Sequence, residues 1–446
     1  MFKKIYFKIK LISAFIKKNF LFLIIGIFIG SLFFIVLPLA KNFINSPNLK
    51  TEKIGIAGLY TYQNLPSNIT DLISFGLTQE SNNNKPINSP LLKDWTTQND
   101  NKEFIFTIDT DHYWHNGQKF NVEDIDYKIS GAKIEKITKD KIKISLEKPF
   151  SPLLSILKQP LFKNQKKLIG IGPYKVEEIN YKGGYIKNIL LQGVKKGQKK
   201  IKFTFYDNEE SLISAFKLGE INKIENISSP KELDKWPNTK ISPQSLANQN
   251  YVAVFFNTKK LETKSLRQAL SYATPKNDDN ENRCISPISP NSWAYNNSVK
   301  TYDYNPDRAK ELFKDNPIEK IDITLNNRKL LPLAEEIKNS WQSVLNIETN
   351  ISVENQINTD EFDVILAYGS IPQDPDQYLF WHSTQQNNIS KLNNPKIDKL
   401  LEEGRQSFDI QERKQIYLDF QKSLLEECPT VFLYYPTVYS ISKTNL

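Results

Sequence analysis

The chain has 446 residues, 24% of them charged and 12% aromatic, the balance of a folded protein too long for one ordinary domain. Its net charge of +9 suggests a nucleic-acid partner only until the charge is located. Residues 1–50 hold eight lysines and no acid, which leaves +1 for the remainder and excludes a phosphate-binding field on the body.

Phe20 to Ala40 carries no charge. As a helix it would extend about 31 Å, enough for a hydrocarbon core of about 30 Å. Six lysines precede it, so the positive-inside rule puts Met1 in the cytoplasm and the C-terminus on the extracytoplasmic face. A cleaved signal peptide is the competing reading. The apolar run exceeds the usual roughly 7 to 15 residues, and Pro38 is ill placed for a small-x-small site, so an uncleaved anchor is preferred. No cysteine follows the run to carry a lipid, and Cys284 and Cys428 are the only two in the chain; sequence leaves open whether they pair.

After a polar tether at 41–53, IGIAGLY reads as a strand and NITDLISFGLT as a helix. EFIFTID alternates Phe104, Phe106 and Ile108 against Ile105 and Thr107, and KIKISLEKPF alternates Ile142, Ile144 and Leu146 against polar residues, both patterns of a half-solvated antiparallel sheet. IGIGPYKVEEI and IKFTFYD give more strands around Gly183 and Gly184, SLISAFKLGEI a helix ending at Gly219, YVAVFFNT a buried strand and SLRQALSYA a short helix. PLAEEIKNSWQSVL is helical, FDVILAY a buried strand, and 395–407 and 410–427 two long helices. FLYYPTVYSIS closes the chain as a strand bent or placed at an edge by Pro436. The interleaving makes the fold class α/β in more than one lobe.

No catalytic constellation emerges. The three histidines are His112, His115 and His382; the first two, in DHYWHNG, have a spacing that suits two metal ligands, but nothing nearby completes four. No G-x-S-x-G, P-loop or helix-opening G-x-G-x-x-G occurs. Asp374 and Asp376 form a carboxylate pair, but within Q-D-P-D-Q turn formation is favoured over ligand contact. The chain is therefore read as a non-enzyme without cofactor or metal.

Several segments in order resemble the solute-binding proteins of family 5, the oligopeptide, dipeptide and nickel receptors of ABC importers: FTIDTDHYWHNGQKFNVEDIDYKIS (with Asn116 where the family usually has Asp), KISLEKPFSPLLSIL, IGIGPYKVEEI, VFFNTKK, SPISPNSWAYN, NPDRAKELF and QDPDQYLFWHS with the helices that follow. The resemblance covers the chain from about Gly55 onward and implies a two-lobed, periplasmic-binding-protein type II-like fold. It implies a first lobe at 54–258 with a trimmed inserted subdomain, a second lobe at 259–431, and a closing strand at 432–446 that returns to the first. It further implies a monomer that captures a peptide or similar solute between its lobes and delivers it to an ABC permease. By the same resemblance Tyr60, Thr61 and Tyr62 line the cleft, and Tyr368, Gly369 and Ser370 present main chain to the ligand. Ile371 stands where many peptide receptors hold the ligand's ammonium with an aspartate, so Asp374 and Asp376 are the nearest candidates for that role. A surface sensor or scaffold on the same fold, with no transport role, is the alternative.

Overall fold

The computed structural model describes residues 51–80, 86–230, 232–276 and 282–444. The anchor expected at Phe20–Ala40 therefore lies outside the described residues. Among those described, no helix is long and apolar enough to cross a membrane.

In chain order the elements are β1 (Glu52–Ala57), α1 (Ser67–Ile73), β2 (Thr78–Glu80), β3 (Pro86–Asn88), β4 (Leu92–Gln98), β5 (Glu103–Ile108), β6 (Ala132–Lys136), β7 (Lys141–Leu146) and α2 (Leu153–Ile156). There follow β8 (Tyr174–Lys182), β9 (Tyr185–Gly193), β10 (Ile201–Tyr206), α3 (Glu209–Leu218), β11 (Lys223–Ile227), β12 (Thr239–Ser245) and β13 (Asn250–Phe256). The last part comprises α4 (Lys264–Ala273), α5 (Pro306–Phe313), β14 (Lys320–Leu325), α6 (Leu331–Leu345), β15 (Glu348–Val353), β16 (Val364–Ser370), α7 (Tyr378–Trp381), α8 (Pro395–Gln406), α9 (Ile410–Glu427), β17 (Thr430–Tyr434) and β18 (Thr437–Lys443).

Three larger sheets organise these strands. The first has the order β12-β18-β11-β1-β10-β9-β8, the second β15-β14-β16-β13-β17, and the inserted one β4-β5-β7-β6. In the inserted sheet Phe104, Phe106, Ile108, Ile142 and Ile144 are fully buried, as their period-2 spacing predicts. β13 reads as an unbroken apolar run because it is buried on both faces. Val252, Val254 and Phe256 enter the core shared with α4 and α6, while Tyr251, Ala253 and Phe255 enter the core shared with α8 and α9. This strand was expected at the end of the first lobe; it pairs antiparallel with β16 and β17 in the second sheet.

Two segments cross between the first and second sheets, 246–249 and 435–436. They touch through the Leu246 N–H, which donates to the Pro436 carbonyl at 2.8 Å. The bend expected at Pro436 is thus the crossover itself: β17 lies in the second sheet, and β18 pairs with β11 and β12 in the first.

Helix α1 ends at Ile73, four residues before the apolar pattern does. The Ile73 carbonyl is taken by the Gly172 N–H at 2.8 Å, and the Leu77 N–H donates to the Leu157 carbonyl at 2.8 Å, which pulls the chain out of the helix. The glycines of IGIGPY follow from the same contact: a Cβ on Gly172 would sit 2.7 Å from the Ile73 carbonyl carbon, and one on Gly170 would overlap the Ile73 carbonyl oxygen. Neither neighbour is a movable side chain. Gly170→Ala is expected to lower unfolding stability by about 1–3 kcal/mol in urea titration.

The candidate interlobe site

The Trp-His-Asn-Gly turn holds the inserted sheet rather than a ligand. Trp114 is buried, its Nε1–H donates to Asp124 at 2.8 Å, and its ring meets Phe120 edge-on at 5.4 Å. Asp124 also accepts from the Asn121 N–H and from Lys163 Nζ; these donors hold its carboxyl below the usual range although burial opposes them. The two histidines of the turn diverge. His112 Nε2–H donates to the Pro90 carbonyl and His115 Nε2–H to the Gly172 carbonyl, each at 2.9 Å. Burial lowers the His115 pKa, assisted by Lys175. Among the described residues no group of three or more His, Cys, Asp or Glu is placed to hold a metal ion. Cys284 and Cys428 are buried free thiols.

The gap between the lobes rests on the two crossover segments. The Ile371 N–H donates to the Gln249 carbonyl at 2.7 Å, which ties the end of β16 to the first of them. Beyond that tie, 372–377 forms one wall. A cavity of about 780 Å³ lies on the first lobe, lined by Asp71, Gln79, Lys158 and Gln159 among others, with Gln373 of the loop at its rim. A second, of about 170 Å³, lies on the other flank of the same loop, between Asn248, Gln249, Ser289 and Gln377.

The lobes also touch across the gap. Lys158 Nζ donates to Gln373 Oε1 at 3.0 Å, and Lys329 Nζ lies 2.7 Å from Glu209 Oε1 at the start of α3. Glu209 is further held by the Ser228 hydroxyl and N–H. These donors together keep its carboxyl below the usual range against its partial burial. At a third point the Ser151 N–H donates to the Arg405 carbonyl at 2.8 Å, and Phe104 of the inserted sheet packs on Phe408 at 5.8 Å.

The site residues expected from sequence fall into three groups. Tyr60 and Tyr62 pack on the first lobe's core, Tyr60 with its ring 4.9 Å from Phe205, and Thr61 closes a local turn with Asn64. None of the three lines either cavity described above.

Tyr368, Gly369 and Ser370 form the end of β16. β14 pairs with β16 only at Val364 and Ile365, so from Leu366 to Ser370 the strand has a main-chain edge outside that ladder, while β13 pairs along its other edge as far as Ser370. Tyr368 is 39% exposed and lies close enough to Lys329 and Glu209 for both to act on its hydroxyl, whose pKa burial raises. Gly369 lies under the Tyr251 ring, which a Cβ would strike. Gly369→Ala is therefore expected to lower stability by about 1–3 kcal/mol in urea titration.

The third group turns inward. Ile371 is 6% exposed and packs with Tyr251, Phe255 and Trp381 in the core of the second lobe. Asp374 faces both outer nitrogens of Arg413, and Asp376 lies 2.8 Å from Arg405. Each aspartate also accepts the N–H two residues ahead, Asp374 from Asp376 and Asp376 from Tyr378, the turn geometry expected of Asp in this context. The carboxylates are thus committed to arginines and backbone of their own lobe. Sequence reasoning missed Asp71, Lys158, Gln373, Arg405 and the Lys329–Glu209 contact. Asp71, Glu209 and Arg405 are polar residues on helices whose apolar face carried the pattern, Lys158 and Gln373 lie in loops, and only the approach of the lobes distinguishes them from solvated surface.

Two lobes are thus joined by paired crossover segments, with a strand edge of β16 outside its ladder near the contacts between them. A model of the bacterial extracellular solute-binding proteins, family 5 (Middle), matches residues 87–390, and the chain belongs to that family. Di/tripeptide-binding protein 1 of Pseudomonas aeruginosa is 25% identical over 365 residues, 69% of this chain and 66% of that protein. Di/tripeptide-binding protein 3 of the same organism is 26% identical over 237 residues, 47% of this chain and 44% of the relative. The chain spans less than two thirds of the length of either. Among solved structures, NikZ from Campylobacter jejuni in complex with Ni(L-His) superposes with a TM-score of 0.75 over 90% of this chain and 95% of that one; at 21% identity the likeness is one of fold.

Proposed function

We propose that the chain captures a peptide or peptide-like solute between its lobes on the extracytoplasmic face and delivers it to an ABC permease. The observation that carries this reading is the main-chain edge of β16 from Leu366 to Ser370, outside the β14 ladder, where Tyr368 lies near Lys329 of its own lobe and Glu209 of the other. An extended peptide laid along that edge forms main-chain hydrogen bonds as an added strand, which is indifferent to side-chain identity. Tyr368, Gly369 and Ser370 supply this edge. Apolar burial as the lobes approach supplies affinity at about 25 cal/mol per Å² before ordering costs. The family match and the di/tripeptide-binding relatives support the reading.

The uncharged run Phe20–Ala40 with its preceding lysines supports a single-pass anchor that keeps the receptor close to its permease. No covalent chemistry is required; function is reversible binding coupled to lobe closure.

The test is to purify the full chain without added ligand, denature it gently, and identify by mass spectrometry what is released. Stoichiometric release of short peptides is expected. An empty protein that also fails to bind a di- to tetrapeptide pool would overturn the reading.

A further inference from the structure

We propose that the edge of the first lobe at which the chain enters β1 is a contact surface for an anionic phospholipid bilayer, and that the protein rests on it with its second lobe held away from the membrane. This inference goes beyond ligand capture and rests on the single-pass anchor.

The strand registers put the starts of β1, β8, β10, β11 and β12 and the ends of β9 and β18 along one edge of the first sheet. The crossover segments leave from the opposite edge, after Ser245 and before Thr437, and Glu209, which meets Lys329 of the second lobe, follows the far end of β10. The second lobe therefore joins the first at the strand ends remote from this edge. Glu52 opens β1 on the near side. Eleven residues separate it from Ala40, the last of the uncharged run, and fully extended they reach at most about 40 Å. An anchored chain is thus tied to the bilayer by this edge.

The loop that joins β9 to β10 there reads VKKGQKK, residues 194–200, four lysines without an acid. Lys195, Lys196 and Lys199 are exposed and, with Lys235 and Lys240 around the start of β12, enter no ion pair among the described residues. Of the acids at this edge, Glu177 is held by Lys200, Glu225 by Lys223 and Glu232 by Lys217, which leaves Glu220 and Asp234. The near-neutral sum of the body thus hides a local excess of cations, and the expectation that the body lacks a phosphate-binding field does not hold here. A depression of about 800 Å³ lined by Lys175, Glu177, Lys195 and Lys196 among others has room for a headgroup. Apolar side chains stand out in the same place: Leu218 at the end of α3 is 76% exposed, Val194 57% and Trp236 38%, with Lys217 Nζ 5.6 Å from the Trp236 ring centroid. A soluble polyanion would answer the lysines and leave Leu218 and Val194 in water. A bilayer answers both, with phosphates for the lysines and an interfacial layer for the Trp and aliphatic side chains. This posture leaves the second lobe free to close.

The test uses the full chain in lipid nanodiscs, either of phosphatidylcholine alone or of equal parts phosphatidylcholine and phosphatidylglycerol. Lysines are acetylated briefly with an N-hydroxysuccinimide ester and read by mass spectrometry. Lys195, Lys196 and Lys199 are expected to react about threefold to tenfold more slowly in the anionic discs and to regain their reactivity at high salt. Lys182, exposed on the β8–β9 hairpin at the opposite edge, is expected to react alike in both. When Lys195→Gln, Lys196→Gln and Lys199→Gln are combined, the protection of Lys235 and Lys240 is expected to weaken without a change in melting temperature. Retention of the chain on the discs at high salt reads the anchor separately. Retention with equal loop reactivity in the two discs, as for a bare face or one that serves a protein partner, would overturn the surface and leave the anchor and the capture reading standing. Loss of the chain from the discs at every salt concentration would overturn both the anchor and the surface.

Discussion

Asp374→Ala is expected to lower unfolding stability by about 3–5 kcal/mol, measured by urea titration of the full chain. Arg413 is 6% exposed. Its two outer nitrogens face Asp374, its Nε–H donates to the Gly404 carbonyl at 2.7 Å, and its guanidinium lies over Trp293 and Tyr417. Asp374 answers this charge and raises the arginine's pKa against the opposing effect of burial. Removal of the carboxylate leaves a cation in a dry site with only a backbone carbonyl, a phenol and ring faces to solvate it. Replacing both partners, as in Asp374→Ala with Arg413→Met, should cost less than the sum of the single changes, because no uncompensated charge remains. A loss below about 1 kcal/mol for the single change would show that the pair contributes little to the fold and would return Asp374 to consideration as a ligand contact.

Arg405→Ala is expected to lower stability by a similar amount, about 3 kcal/mol, and to loosen the joint between the inserted sheet and the second lobe. The guanidinium lies 3.9 Å from the Tyr378 ring centroid, 5.0 Å from that of Phe150 and 2.8 Å from Asp376. Phe150 belongs to the first lobe, so the side chain is a three-way contact spanning the gap beside the Ser151–Arg405 backbone bond. Burial raises the Asp376 carboxyl above its ordinary range, with Arg405 pulling the other way. The folded state thus holds that proton more tightly than the unfolded chain does. Stability contributed by the protonated form is present below the unfolded pKa and is lost as pH rises through the folded one. Without Arg405 the folded pKa rises further, so the variant's deficit should be larger at pH 8 than at pH 5 in paired urea titrations. A deficit independent of pH would assign the effect to lost packing on Tyr378 and Phe150 alone.

Much of the fold was legible because burial imposes periodicity. The alternation in EFIFTID gave the core face of the inserted sheet, and the unbroken run in YVAVFFNT gave a strand covered on both sides. Periodicity could not place β13 in a sheet, because a strand buried on both faces carries no mark of which lobe buries it. Nor could it see that α1 stops at Ile73, since that depends on a hydrogen bond from Gly172, 99 positions further along. In the site, the turn chemistry of Asp374-Pro375-Asp376 was readable from local rules, but the arginines that claim those acids sit on α8 and α9 and were not. Ile371 drew notice for what it lacks; it is buried in the core that also holds Tyr251, Phe255 and Trp381.

The central claim is that ligand capture and lobe closure are one event. Its most direct measurement is the distance across the gap by double electron–electron resonance, with spin labels introduced at Lys217 on α3 and Lys338 on α6; the two native cysteines are buried. The account predicts that the ligand released from the purified protein, once added back to the stripped chain, shifts the distribution to shorter distances and narrows it. A distribution unchanged by saturating ligand would contradict it.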